Sequence, residues 1–441
     1  VPRIRLFEPD DPTEAVGWRI PALIIAAIFF NVAFWMTEGD DFWRYSAPAI
    51  SLAVWSVAAI LCAALFFLGP ALCAQAARSF PAMLASTFGR TPGACVQIVC
   101  VTYTVIWVSR LSALARWWLG SGYAPWSEIQ IAAISAAILA VVGYTAWQRV
   151  SITAALARLS IHLAIAVLVA ALIRVRTGWF AIRMGFEGVT NRSLPVDLWR
   201  GFSNLSYAVG PLALLAGVFA VRCATRRDVS IMAVMGIGAP LAGSMVIVTV
   251  VNVATHASSL YRPSGNANVA MALISGVSRK SEGTVLFIFA LTTLGVLRFG
   301  VGAMKTLAKV EEIPARFHWL LFGCLFGLIV WCSAHPDRQI IEVLFDLSTE
   351  TLVTASAILT VDAITHRTPY ALRWIDWPAT LGLLCGIGIP SFCRFWWAVL
   401  DEDTWGHPWL LPSYGTAFLA YALLRWAQKE RSPKAPLFAA I

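Results

Sequence analysis

The chain has 441 residues, 59% of them hydrophobic and 13% charged, with a formal net charge of +9. Ordinary soluble domains carry about 25% charged residues, so this composition excludes a soluble enzyme or a nucleic-acid-binding domain with a basic solvated face. It predicts an all-α polytopic membrane protein, because spans of about 20 apolar residues recur without the even alternation of a transmembrane barrel.

Residues 1–19 read as a cytoplasmic leader. They carry Glu8, Asp10, Asp11 and Glu14, without the basic stretch or cleavage site of a signal peptide. Apolar runs then predict about twelve transmembrane helices, at roughly 20–36, 47–77, 94–118, 126–147, 152–173, 197–220, 229–255, 284–304, 317–334, 339–361, 378–398 and 408–424. Tryptophans at Trp117, Trp118, Trp126, Trp147, Trp179, Trp396 and Trp397 cluster near span ends, as an interfacial belt does. The basic loop Arg222–Asp228 and the basic tail 425–441 place both termini in the cytoplasm. The connection 256–283 fits a short interfacial helix, and no large soluble domain fits anywhere.

Charges inside these spans are the first functional signal. Arg110 lies within the apolar run Ala94–Trp118 and Arg298 within Thr284–Met304. Each costs roughly 2.5–3.5 kcal/mol to insert and so demands an interior partner. In span 10, Glu342, Asp346 and Glu350 recur every four residues and share one helix stripe. Asp346 and Glu350 are deep enough to need the two arginines. Two readings stay open: an ion-pair network that fixes helix register, or a charge-coupling set that takes up a proton. His162 in span 5 is a second proton candidate, or a hydrogen-bonded packing residue.

Gly210-Pro211 interrupts span 6. Proline removes a backbone donor, which gives either a simple kink or a broken helix of the kind at which transporters bind cargo. The nine cysteines are scattered through spans without C-x-x-C or Cys/His grouping, predicting neither metal nor disulfide. There is no nucleotide motif, no H-E-x-x-H and no Ser/His/Asp grouping, so neither an enzyme nor a cofactor is predicted.

Four patterns in chain order resemble the nucleobase–cation symporter family, the bacterial and fungal permeases for uracil, cytosine, allantoin and hydantoins. The first is Arg78-Ser79-Phe80-Pro81 through Ala85-Ser86-Thr87-Phe88-Gly89. Trp107 follows at the distance of the family's span 3 tryptophan. Gly210-Pro211-Leu212-Ala213-Leu214 is similar to the family's span 6 segment. Val361-Asp362-Ala363 closes span 10, before Trp377-Pro378 opens span 11.

The resemblance implies the leucine-transporter fold in a bacterial inner membrane. Its first five-helix repeat covers 20–173 and its inverted partner 197–361, with two peripheral helices at 378–424. Substrate binds between spans 1, 3, 6 and 8, which brings in Trp107, Asn31, Ser206, Tyr207, Gly210 and Pro211. Several family positions differ here: Leu111 and Leu215 stand for its amides, Val209 for its second stacking tryptophan, and Gly295 and Val296 for its sodium-binding Ser/Thr pair. Span 1 has no Gly-rich interruption and offers only Asn31 within Phe29–Trp35.

These departures predict a sodium-independent carrier of a small nitrogen-containing metabolite, proton-coupled or facilitative, in which Arg298 replaces the cation. The alternatives are a transport-inactive scaffold, sensor or subunit of a membrane protein partner, and an amino-acid or amine transporter on the same fold.

Overall fold

The computed structural model describes residues 17–31, 57–119, 150–174, 194–244, 315–335, 338–365, 373–397 and 409–431, with isolated residues between 130 and 140 and between 293 and 303. Every regular element among them is helical. The first is α1 (Arg19–Phe29), apolar on all sides and buried over most of its length. α2 (Val57–Ala77) follows, and its middle turns, Ala63–Leu68, are π-helical.

A π turn releases a backbone carbonyl, which must find another donor in an apolar interior. Here the Leu65 carbonyl accepts from the Thr360 hydroxyl at 3.1 Å and from the Tyr414 hydroxyl at 3.0 Å. The distortion therefore ties α2 to two helices far along the chain.

α2 ends where Arg78 adopts a left-handed conformation, φ 55°. Ser79 then caps α3 (Phe80–Phe88) by accepting from the Ala82 amide, with proline in the first turn. Gly89, at φ 92°, joins α3 to α4 (Arg90–Leu119). A β-carbon at Gly89 would lie 2.7 Å from the Asp376 amide nitrogen, so the chain passes there only without a side chain. Segment 373–376 docks on this turn through three backbone bonds. The Arg90 amide donates to Arg373, the Thr91 amide to Trp374, and the Asp376 amide to Phe88.

The remaining helices are α5 (Val150–Arg174), α6 (Leu194–Ala220), α7 (Arg226–Met232), α8 (Ala315–Ala334), α9 (Gln339–Ile364), α10 (Trp377–Trp397) and α11 (Leu410–Arg431). A Thr225/Asp228 capping box starts α7, which continues through a second π segment, Ala233–Gly238, and on helically to residue 244. The two π segments pack on each other, with α6 lying on the first and α1 on the second.

The core centres on α9, which packs against α2, α4, α6, α10 and α11. A β-carbon at Gly69 of α2 would stand 2.6 Å from the Thr360 Cα, so these helices meet nearly backbone to backbone. Outward faces instead carry exposed Ile60, Ile98, Val343, Leu384 and Leu423. So much exposed apolar surface suits lipid rather than water. Three helices, Val57–Ala77, Arg90–Ala113 and Gln339–Ile364, are long and apolar enough to cross a membrane among the described residues. Exposed Trp374, Trp377 and Trp426 lie near helix ends, as interfacial anchors do.

Two expectations change. α6 is continuous, with Pro211 inside it, so the kink reading of Gly210-Pro211 is the one realised. Neighbouring packing supports the helix there: a β-carbon at Gly210 would lie 2.7 Å from the Val353 Cγ2, and that close approach to α9 explains the glycine. α1, by contrast, stops at Phe29 without any glycine, and Phe30 leaves helical geometry at φ −116°, ψ 70°. Most of span 4, the connection 256–283 and Arg298 lie outside the described residues.

Candidate functional site

α4, α6 and α9 converge on one aromatic and charged cluster. Tyr103 and Arg110 stand seven residues apart on α4, with Trp107 between them, so all three share a face. Phe345 of α9 stacks on Tyr103, with centroids 4.9 Å apart and planes at 19°. It meets Tyr207 of α6 edge-on at 6.1 Å. The Arg110 guanidinium sits 4.1 Å from the centroid of the same Phe345 ring, an attraction of about 0.5–2 kcal/mol depending on water access.

The next residue on α9, Asp346, accepts a hydrogen bond from the Tyr207 hydroxyl. A phenol donating to a carboxylate is a strong, charge-assisted bond. Asp346 is partly exposed and Arg110 exposed, so the cluster reaches open space rather than closing into dry core. The Asp346 carboxylate thus takes a phenol as its hydrogen-bond partner, and Arg110 takes a ring face. The expectation that Arg110 and Arg298 together balance Asp346 and Glu350 involves Arg298, which lies outside the described residues.

Trp107 lies one turn below Arg110 in a second aromatic group. It meets Phe299 edge-on at 6.0 Å, and Phe299 stacks on Phe219 at 5.2 Å. Gly300 presses against Val108 and Trp107, so this tryptophan is held in place and only half-buried. Ser206 is fully buried and donates to the Phe202 carbonyl of its own helix at 2.7 Å. Glu350, 4% exposed, sits one turn after Asp346 on α9. His162 does not join them: it is exposed on α5, with Nδ1 2.7 Å from the Arg158 carbonyl one turn back.

Asn31 is found at the end of α1, 1% exposed. Its side-chain nitrogen donates to the Ala27 carbonyl at 2.9 Å and also to the Ile28 carbonyl. The Phe30 amide donates to Ala26 at 2.8 Å. The Phe29 carbonyl accepts from the Ser244 hydroxyl, beyond the second π segment.

Sequence reasoning missed Tyr103, Phe345, Phe299 and Ser244. Tyr103 had a usable signal, its helical spacing to Trp107 and Arg110. Phe345 adjoins an acid that was flagged. Ser244 had none, because its partner lies far away in the chain.

No protein-family model matches this sequence, and no curated protein matches it by sequence. Solved structures do match. The nucleobase-cation-symport-1 family transporter Mhp1, closed with bromovinylhydantoin bound, aligns over 98% of this chain and 97% of its own at 13% identity, with a TM-score of 0.64. A substrate-bound, outward-open Na+-coupled sialic acid symporter aligns over 96% and 93% at 8% identity, also with a TM-score of 0.64. Inward-facing Mhp1 covers 98% and 96% at 11% identity, with a lower TM-score of 0.53. At these identities the likeness is one of architecture, and over nearly its whole length the chain has the fold of the nucleobase-cation-symport-1 transporter Mhp1.

Proposed function

We propose that the chain is a secondary transporter of a small nitrogen-containing metabolite, such as a nucleobase or hydantoin-like compound, working by alternating access. The observation that carries this reading is the cluster of Tyr103, Arg110, Tyr207, Phe345 and Asp346 at the meeting of α4, α6 and α9. Half-buried Trp107 offers a ring face to a planar substrate, and the buried Tyr103–Phe345 stack holds Arg110 beside it. Asp346 offers the acceptor sites that Tyr207 does not fill, and the exposed Arg110 guanidinium offers N–H donors, which is what a ring bearing N–H and C=O groups requires. Mhp1 is described with a bound hydantoin, and that supports the substrate class.

The two π segments support an inverted five-plus-five repeat. They pack on each other, and α1 lies on the second as α6 lies on the first. Such a pairing follows from two related halves joined about a pseudo-twofold axis. The bilayer orientation retains both termini in the cytoplasm.

Coupling runs through protons. A proton on Asp346 cancels the charge to which Tyr207 donates, and so loosens α9 from α6. Binding and release of that proton then bias α9 between two positions. Glu350 stands by as a second carboxylate, with Arg298 as the fixed intramembrane cation. His162 has no part in this scheme.

The test is uptake of radiolabelled nucleobases and hydantoins into proteoliposomes, with imposed proton or sodium gradients. Uptake that follows the proton gradient and ignores sodium is expected. Strict sodium dependence overturns the coupling scheme, and absence of both binding and uptake across the panel overturns the transporter reading. The unbroken course of α6 through Pro211 favours one rival, a transport-inactive sensor or scaffold. That rival predicts substrate binding without uptake.

A further inference from the structure

A helix of the length of α1 that starts at the membrane surface ends near the middle of the bilayer. Eleven helical residues rise only about 16 Å, roughly half of a hydrocarbon core of about 30 Å. A helix leaves its last four carbonyls without intrahelical donors, and at that depth water does not supply them. In secondary transporters such half-helix ends are where coupling cations such as Na+ are held.

Here the Ala26 carbonyl keeps its ordinary helical donor, and the next three, those of Ala27, Ile28 and Phe29, each already have a side-chain donor. The Phe30 amide serves Ala26, the Asn31 side-chain nitrogen serves both Ala27 and Ile28, and the Ser244 hydroxyl serves Phe29. Asn31 has two N–H bonds to give, matching its two carbonyls. Both side chains are fully enclosed, at 1% and 0% exposed.

We infer that Asn31 and Ser244 form a built-in substitute for a coupling cation at the end of α1. They supply the positive ends of three dipoles where other carriers gather carbonyls around an ion. A sodium ion entering here displaces three hydrogen bonds and finds no formal negative charge from either side chain in return. The Ser244 bond also fastens the end of α1 to the helix that follows the second π segment, so the two move as one body. The inference deepens the transporter reading and rests on it for one consequence, that turnover needs no sodium. Occupancy of the α1 end is measurable without any transport.

The experiment measures thermal unfolding of the full-length purified protein in sodium, lithium or choline chloride at matched ionic strength. Wild-type Tm is expected to be the same in sodium and choline. Asn31→Asp places a carboxylate among the three carbonyls and is expected to gain a saturable, sodium-specific rise of about 2 °C or more. Asn31→Ala and Ser244→Ala, which free carbonyls without adding charge, give a lower Tm with partial recovery in sodium, and they cover the case in which Asn31→Asp does not fold. A sodium-specific rise in the wild type overturns the inference, as does indifference to sodium in every folded variant. Failed uptake with these shifts intact removes the transporter reading and leaves the substitute in place.

Discussion

α9 carries one aspartate near each end, and each accepts from a tyrosine hydroxyl, yet the two pairs live differently. Tyr421 donates to Asp362 at 2.6 Å, and Tyr207 donates to Asp346. Each pair also has an arginine over an aromatic ring beside it, Arg425 at 4.9 Å from Tyr421 and Arg110 at 4.1 Å from Phe345. The step of sixteen residues from one aspartate to the other spans about 24 Å of helix.

At the Asp362 end every charge is tied to structure. That aspartate is 7% exposed, and Arg425 is ion-paired with Asp376, which itself caps α10 by accepting from the Ala379 amide. At the Asp346 end the arginine leans on a ring and both charges reach open space. The same chemical vocabulary makes a fixed joint at one end and an adjustable contact at the other. What separates them is whether the arginine has a buried carboxylate of its own.

The contrast is broken most severely at the fixed end. Arg425→Ala strands Asp376 as a buried unpaired charge and is expected to cost about 3 kcal/mol, the lower part of the range for breaking buried pairs, because Arg425 keeps some exposure. Denaturant or thermal unfolding of the purified protein reads this directly. Arg110→Ala, which breaks no ion pair among the described residues, should cost less than about 1 kcal/mol in the same assay. Equal losses from the two variants would erase the distinction between the ends.

A step smaller is Gly69→Ala. The new methyl meets the Thr360 backbone at 2.6 Å, and overpacking of that kind costs about 1–3 kcal/mol. The same shift separates Thr360 from the Leu65 carbonyl, so protection of the π turn from hydrogen exchange should fall with it. Tyr421→Phe comes next, at about 1–2 kcal/mol, since it leaves a buried carboxylate short of one donor. Unfolding midpoints of this variant and of Tyr207→Phe, measured side by side, test whether burial sets the difference.

The sequence makes the fixed framework legible in outline and the adjustable contact only in pieces. Apolar periodicity and turn residues such as Ser79, Pro81 and Gly89 mark the helices and the α2–α3 corner, because those signals are local. Arg110 and Asp346 stand out as charges in greasy helices. Their partners did not follow, since a carboxylate in a membrane is satisfied by a phenol as well as by a guanidinium, and nothing local says which. The end of α1 was harder still. A helix stop was sought as glycine, whereas here Asn31 folds back on its own last turn and Ser244 arrives from over two hundred residues away. Gly210-Pro211 left a kink and a break both open, and it is packing against Val353 that holds a helix which proline alone tends to interrupt.

The smallest expected effect on stability carries the most information about function. Asp346→Asn keeps the shape of the side chain and still accepts from Tyr207, so its unfolding midpoint should stay within about 1 kcal/mol of wild type. What it removes is the capacity to bind and release a proton at the point where α6 meets α9. In proteoliposomes, uptake by this variant should no longer respond to a proton gradient, while exchange of substrate across a membrane without a gradient persists. Asp362→Asn is the matched control: it should lower stability and leave the gradient response of the folded fraction unchanged. If both variants keep a gradient-driven uptake, the proton is carried elsewhere, and Glu350, one turn further along the same helix, becomes the group to change next.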